Sequence, residues 1–206
     1  MQATALLLVD IQNDFIPGGS LAVPQGDTII KVNNNLQQHF DLVVATQDWH
    51  PSGHISFASE HANHKVFESI KIDGIDQTLW PEHCVQNSRG AAFHPDLNTQ
   101  KVEAIFRKGT NPKIDSYSAF FDNAHLKSTG LTGYLKEKGV KHIYFTGLAA
   151  DICVFFSIKD ALQEGFKCTL IEDATKALDQ SVYQEQKQEL SALGVQYVTS
   201  DSFVLV

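Results

Sequence analysis

Six short apolar runs are spaced along the chain, at residues 5–9, 42–46, 102–106, 143–145, 168–171 and 195–198. The first run, ALLLV, places apolar side chains at consecutive positions, which is typical of a strand buried on both faces of a sheet. The other runs are similarly short and are bounded by polar or turn-forming residues. We therefore predict six strands at these positions.

Between these runs, apolar residues recur every three or four positions, which is the period of a helix with one buried face. The clearest such helix has Asp27 as its predicted N-cap and carries Ile29, Val32, Leu36 and Phe40. Further helices are predicted at residues 126–139, at 151–164 before Gly165, and at 184–193. Strands that alternate with helices predict an α/β fold, a doubly wound and mainly parallel sheet with helices on both faces.

Neither period is present from residue 51 to about residue 100. A segment of this length without a clear element is unusual in a compact domain and indicates a functional loop region more often than a linker. Six of the nine histidines lie between His50 and His94. This concentration favours the functional interpretation.

Composition narrows the class of protein. A chain of 206 residues, 43% of them hydrophobic, can bury a sizeable core, and a single domain over residues 1–206 is the simplest organisation. The formal charge of −8 disfavours nucleic acid and anionic membranes as partners. No apolar run approaches the roughly 18 residues of a membrane span and no basic leader precedes the first strand, so we expect a cytoplasmic protein. Three cysteines at unrelated spacings predict no disulfide framework: Cys84, Cys153 and Cys168.

Four reactive residues each follow a different predicted strand within a few positions: Asp10, Asp48, Lys108 and Cys153. In open α/β sheets, ligands bind beyond the carboxyl ends of the strands, where the strand order reverses. We therefore expect these four side chains to gather at one edge of the sheet.

Cys153 falls in the first turn of the helix that follows the small-residue turn at residues 147–150. A thiol there lies near unpaired N–H groups and the positive end of the helix dipole, so we predict a lowered thiol pKa. The same N–H groups can bind an oxyanion. Asp10 is the candidate base, since burial raises a carboxyl pKa, and Lys108 is the candidate stabilising cation. From these residues alone, a structural cysteine, a loop-capping Asp10 and a solvated Lys108 stay open as alternatives.

A second group comprises Asp48 and His50, with His54 and His83 further along the chain. Residues two apart on an extended segment point the same way, so one carboxylate and one imidazole can hold a single ion, and a distant histidine can complete a mixed N/O site. Cys84 is an alternative soft ligand, although beside His83 it is expected to pack inward. Three further histidines are expected to be polar loop residues: His61, His64 and His94.

Three aromatic residues lie near predicted strand ends or in the loop region: Phe15, Trp49 and Trp80. Such residues can line a flat apolar slot for a planar ligand. Aromatic residues in these places are also common in hydrophobic cores, so both interpretations stay open.

Seven motifs then follow one another along the chain: LLLVDIQNDF, PGGSLAV, TQDWHPSGHISF, LWPEHC, FRKG, DSYSAF and GLAADICV. Together they span nearly the whole sequence and closely resemble those of the nicotinamidases (pyrazinamidases), which are isochorismatase-like cysteine hydrolases. The resemblance implies the isochorismatase-like hydrolase fold. It also implies hydrolysis of nicotinamide to nicotinate and ammonia through a cysteine thioester, a role in NAD salvage, and hydrolysis of pyrazinamide.

The same resemblance implies roles for individual residues. Asp10, Lys108 and Cys153 match the catalytic triad of the family. A divalent metal, zinc first with Fe²⁺ or Mn²⁺ as alternatives, is implied to hold the pyridine nitrogen, and its ligands are Asp48, His50 and His83. His54 matches a fourth ligand that only some members have, and we leave it outside the predicted set.

The resemblance further implies a non-proline cis peptide between Ala149 and Ala150. This bond is expected to turn the N–H groups of Ala149 and Cys153 toward the substrate oxygen as an oxyanion hole. Contacts with the substrate ring are implied for Phe15, Trp80 and Tyr117, and Ala149 is implied to bind the substrate as well.

Other functions stay open at this point. A metal-free cysteine amidohydrolase of the same fold, acting on a carbamoyl or ureido compound, is the nearest alternative, although such relatives generally lack the metal residues. A vinyl-ether hydrolase of the isochorismatase type does not use a cysteine nucleophile, so Cys153 argues against it. A catalytically silent binding domain is a third alternative, because fold does not determine function. The sequence does not tell whether the chain forms a homo-oligomer.

Overall fold

The computed structural model of the chain describes residues 3–203. Six parallel strands form one sheet: β1 Ala3–Val9, β2 Leu42–Asp48, β5 Val102–Lys108, β6 Val140–Leu148, β7 Lys167–Lys176 and β8 Gln196–Val198. Two further strands form a separate antiparallel hairpin: β3 Ser69–Ile72 and β4 Ile75–Thr78. The order across the large sheet is β5-β2-β1-β6-β7-β8, which confirms the predicted doubly wound α/β fold.

Helices cover both faces of the sheet: α1 Ile29–Leu36, α2 Leu131–Glu137, α3 Phe155–Gln163 and α4 Gln180–Ala192. Along β1 the side chains alternate between two hydrophobic cores. Leu7 packs in the core that contains α2, α3 and α4, whereas Leu6 and Leu8 pack in the core that contains α1. All three leucines are fully buried, as the unbroken apolar run predicts.

The strand order reverses between β1 and β6, the two central strands. Here β6 approaches β1 so closely that a Cβ on Gly147 would lie 2.0 Å from the carbonyl oxygen of Val9. Gly147 also has a φ of +103°, which glycine adopts without strain. The close approach brings Asp10, which follows β1, next to the turn that follows β6 and carries Cys153.

Local structure departs from the predictions at several helix ends and in the loop region. Phe40 lies outside α1, because a 3₁₀ turn follows Leu36, and α3 begins at Phe155, after a π-helical turn, instead of at residue 151. The last helix begins at Gln180, four residues before the predicted start.

Asp27 does not cap α1, because Gly26–Thr28 form a separate 3₁₀ turn and α1 begins at Ile29 with no side-chain cap. The segment predicted without elements contains the β3–β4 hairpin, whose strands have only four residues each. The helix predicted from residue 126 begins only at Leu131, after Gly130 in the left-handed region.

The longest of these helices, α4, has 13 residues. Among residues 3–203, no helix combines the length and the apolar character needed to cross a bilayer.

Candidate active site

The Lys108 ammonium group is the point where the predicted site residues meet. Its Nζ lies 3.0 Å from Asp10 Oδ2, 3.1 Å from Asp48 Oδ1 and 3.5 Å from Cys153 Sγ. It also donates a 2.9 Å hydrogen bond to the carbonyl oxygen of Ser116. Lys108 is 2% exposed, and although burial lowers an ammonium pKa, the Asp10 and Asp48 carboxylates raise the pKa of Lys108 well above its usual range. The buried site therefore contains a fixed positive charge.

Asp10 is held at the end of β1 with a positive φ of 49° and is fully buried. The Thr46 hydroxyl donates a 2.6 Å hydrogen bond to Asp10 Oδ1 and accepts a 3.2 Å bond from the Asp10 N–H. Burial raises the pKa of Asp10, an effect that Lys108 opposes and Asp48 reinforces. Because Thr46 engages Oδ1, the oxygen left to exchange a proton is Oδ2, which pairs with the Lys108 ammonium at 3.0 Å.

Cys153 lies in a π-helical turn, Ala150–Val154, that precedes α3. The thiol is 7% exposed, and burial raises its pKa well above the usual range, although Lys108 acts in the opposite direction. The predicted lowering of this pKa is therefore wrong. The helix-terminus argument considers only the local backbone, whereas here loss of hydration is larger and two carboxylates, Asp10 and Asp48, add to it.

The cis peptide bond joins Leu148 and Ala149, so its predicted position between Ala149 and Ala150 is wrong by one residue. The reason lies in the extent of the elements: β6 continues through Leu148, and the π-helical turn already begins at Ala150. Ala149 is thus the single residue between strand and turn. It lines the same cavity as Cys153, and its carbonyl accepts N–H bonds from Ile152 and Val154.

Asp48, His50 and His83 form a buried group whose ligand atoms lie within 4.8 Å of one another. His50 Nε2 lies 3.0 Å and His83 Nε2 lies 3.3 Å from Asp48 Oδ2. The Nδ1 atoms of the two rings face backbone carbonyls, at 3.0 Å from Gly109 and 2.8 Å from Pro81. This arrangement fixes the ring orientation and directs both Nε2 atoms toward one point, as in histidine ligands of metals.

His54 lies beside this group, with its ring centroid 4.2 Å from that of His50. Its Nε2 lies 2.9 Å from the carbonyl oxygen of Asn111, and its Nδ1 accepts the N–H of Ser56. Since a carbonyl requires a donor, the proton is on Nε2 and the Nδ1 lone pair is directed at Ser56. Burial lowers the pKa of His54 to about 4, so the ring is neutral. Both ring nitrogens are thus occupied by protein partners.

A cleft of about 380 Å³ opens beside Cys153 and His83. All four residues predicted to bind the substrate line it: Phe15, Trp80, Tyr117 and Ala149. Trp49, the other aromatic candidate, is not among the lining residues. Its ring instead packs against Arg107, whose guanidinium carbon lies 3.8 Å from the ring centroid.

Sequence reasoning did not identify several residues of this site. Gln12 is fully buried, and its side chain accepts the Asp48 N–H and donates to the Asp48 carbonyl, each at 2.8 Å. Asp115 lines the cleft with its carboxylate 3.9 Å from His50 Nε2. The motifs LLLVDIQNDF and DSYSAF contain both residues, but no spacing rule connects either to Asp48 or His50, which lie far away in sequence.

Known proteins give an independent comparison. The isochorismatase domain profile matches residues 4–202. The nicotinamidase of Acinetobacter baylyi is 46% identical over 202 residues, which are 98% of this chain and 94% of the relative. A nicotinamidase/pyrazinamidase structure from Acinetobacter baumanii has a TM-score of 0.95 and 47% identity over 98% of both chains. A Pyrococcus horikoshii pyrazinamidase, solved in complex with zinc, has a TM-score of 0.78 and 37% identity over 95% of this chain and 98% of its own. The chain therefore belongs to the isochorismatase domain family, as its seven motifs predict.

Proposed function

We propose that the protein is an amide hydrolase that converts nicotinamide to nicotinate and ammonia through a thioester on Cys153. The observation that carries this proposal is the position of Lys108, whose ammonium group contacts Asp10, Cys153 and Asp48 at once. A base, a nucleophile and an electrostatic anchor thus lie next to the Asp48, His50 and His83 group and share one aromatic cleft. The names of the relatives, nicotinamidase and pyrazinamidase, support the same substrate class.

A divalent ion fits the Asp48, His50 and His83 group. Two imidazole nitrogens and one carboxylate are a donor set suited to zinc, with Fe²⁺ or Mn²⁺ as alternatives, and three protein ligands leave a position for substrate. The hydrogen bonds from both Nδ1 atoms supply the outer contacts that such sites need. The zinc in the P. horikoshii relative supports this choice. Bound there, the ion would supply Lewis acidity toward the pyridine nitrogen.

In the acylation step, Asp10 Oδ2 takes the thiol proton as Cys153 Sγ attacks the carboxamide carbon. The raised pKa of both groups favours a transfer that accompanies attack over a thiolate formed beforehand. The N–H groups of Ala149 and Cys153 stabilise the tetrahedral oxyanion. Asp10 then gives its proton to the leaving nitrogen, the C–N bond breaks, and ammonia departs.

In the second step, water attacks the thioester carbon while Asp10 Oδ2 accepts its proton. The C–S bond breaks, Asp10 Oδ2 returns its proton to the Cys153 sulfur, and the nicotinic acid leaves and ionises to nicotinate by giving its proton to solvent. Lys108 stays protonated throughout and holds Asp10 in place, because its ammonium is fixed by two carboxylates and the Ser116 carbonyl. Pyrazinamide has the same ring nitrogen and carboxamide, so we propose it as a second substrate. Because the product is nicotinate, we propose that the protein acts in NAD salvage.

Ammonia release from nicotinamide by the purified protein tests this function. We expect turnover in the wild type and in Cys168→Ala, a control that removes a buried cysteine far from the cleft. Cys153→Ala should remove turnover, and quenched reactions of the wild type should contain a nicotinoyl adduct on the Cys153 peptide by mass spectrometry. Near-normal turnover in Cys153→Ala would contradict the assignment.

A further inference from the structure

Asp151 is a buried carboxylate in the π-helical turn that carries Cys153, and it takes part in no step of the proposed mechanism. It is 4% exposed. Its Oδ1 accepts the N–H of Leu178 and its Oδ2 accepts the N–H of Asp179, each at 2.8 Å. Its backbone carbonyl accepts a 2.9 Å hydrogen bond from the side chain of Gln186 in α4. We call these three hydrogen bonds the Asp151 clamp.

The Asp151 clamp joins the turn that carries Cys153 to the segment between β7 and α4. Leu178, in that segment, lines the cleft together with Ile152 and Cys153 of the turn. Phe15, which follows β1, lines the same cleft. Leu178 therefore forms part of the apolar wall against which a substrate ring packs. The Asp151 clamp therefore ties the segment that carries Leu178 to the turn that carries the Cys153 sulfur.

A carboxylate suits this position and an amide does not. Both oxygens of Asp151 face N–H donors, and an ionised carboxylate accepts on both sides. An asparagine has one oxygen, and its NH₂ group would face the second N–H. Burial raises the pKa of Asp151, and the backbone N–H groups of Asp179 and Leu178 act in the opposite direction, so these two hydrogen bonds favour the ionised carboxylate.

We propose that Asp151 is a positioning residue that, through Leu178, sets the spacing between the apolar wall and Cys153 and thereby selects flat six-membered aromatic amides. The choice of substrate ring rests on the proposed function, whereas the control of the wall by Asp151 does not.

The test compares Asp151→Asn, Leu178→Ala and the double variant. Each single variant should raise KM for nicotinamide about three- to tenfold, the size expected for losing part of the apolar contact of one leucine. Since Asp151 acts through Leu178, the double variant should have the KM of Leu178→Ala alone. Additive effects in the double variant, or an unchanged KM in Asp151→Asn, would overturn the proposal.

Asp179→Ala is the matched control for general destabilisation. The Asp179 side chain is exposed and caps α4 by accepting the N–H groups of Ser181 and Val182, while its own backbone N–H stays available to Asp151. This variant should lower the melting temperature and leave KM unchanged. If Asp179→Ala raised KM as much as Asp151→Asn, the role of Asp151 would be structural only.

The rate at which iodoacetamide alkylates Cys153 measures how accessible the sulfur is beside the apolar wall, and this measurement does not require turnover. Mass spectrometry of the modified peptide separates Cys153 from the other cysteines. We expect Asp151→Asn and Leu178→Ala to accelerate alkylation several-fold by opening the cleft, with no further acceleration in the double variant. If the wild-type protein did not hydrolyse nicotinamide but the variants showed these alkylation rates, the proposed function would be refuted and the positioning role of Asp151 would stand. Wild-type alkylation rates in Asp151→Asn would overturn the positioning role.

Discussion

The two halves of the site are built in different ways. Asp10 follows β1, Lys108 ends β5, which is separated from β1 by β2, and Cys153 follows β6. All three therefore lie at the carboxyl edge of one parallel sheet, and the strand order brings them together. The other half takes only Asp48 from a strand. His50 and His83 lie outside the strands. The hydrogen bond from the His50 N–H to the carbonyl of Cys84, the residue after His83, joins the two segments that carry them. The first half, with Asp10, Lys108 and Cys153, therefore depends on regular structure, and we call it the sheet-built half. The second, with Asp48, His50 and His83, depends on loop contacts, and we call it the loop-built half.

Lys108 is the residue that both halves share, so its replacement gives the largest expected effect. Lys108→Met leaves the Asp10 and Asp48 carboxylates buried without their cation, which should cost about 3–5 kcal/mol of unfolding free energy. Turnover and metal content should fall together. Denaturant unfolding and metal analysis measure this, with the exposed Lys113→Met as control. A stable Lys108→Met protein with full metal content would show that the halves are independent.

Asp10→Asn separates the halves. The asparagine keeps the shape but cannot accept the thiol proton, so kcat should fall about 10²- to 10⁴-fold. The Asp48, His50 and His83 group contains no atom of Asp10, so metal content should match the wild type. Steady-state kinetics and metal analysis on the same sample check both expectations. Turnover within a fewfold of wild type would remove Asp10 from the proton transfer.

His83→Ala affects the loop-built half alone. Metal affinity should fall by more than the roughly 10- to 100-fold that loss of an outer contact alone produces, since a direct ligand is removed. The unfolding free energy should change less than in Lys108→Met, because no strand residue is lost. His64→Ala, in the same loop region but exposed, is the matched control. Equal metal content in the two variants would contradict the assigned ligand.

The contrast between the halves also explains what the sequence could predict. Asp10, Asp48 and Lys108 follow short apolar runs, and the carboxyl ends of parallel strands meet, so their gathering follows from periodicity. No periodicity places His83 beside His50, and only the motif resemblance did so. The β3–β4 hairpin was missed because each strand has only four residues, although the alternation in β3 and the Asp73-Gly74 turn, with a positive φ at both residues, are a hairpin signal.

Electrostatic predictions failed where they used only local structure. The thiol pKa of Cys153 depends on burial and on the Asp10 and Asp48 carboxylates, which lie more than a hundred residues away in sequence. The roles of Gln12 and Asp151 depend likewise on backbone groups that only the folded chain brings near. A local sequence pattern predicts which residue is reactive more readily than it predicts its environment.

The most direct test of the whole account compares nicotinamide with benzamide, which keeps the carboxamide and lacks the ring nitrogen. Under the proposed function, the sheet-built half cleaves the amide bond and the loop-built half orients the ring, so both must act on one substrate. We predict ammonia release from nicotinamide with kcat/KM at least about 10²-fold above that of benzamide, since a lost anchoring contact costs orientation as well as binding. Comparable kcat/KM values for the two amides, or no ammonia from nicotinamide, would contradict it.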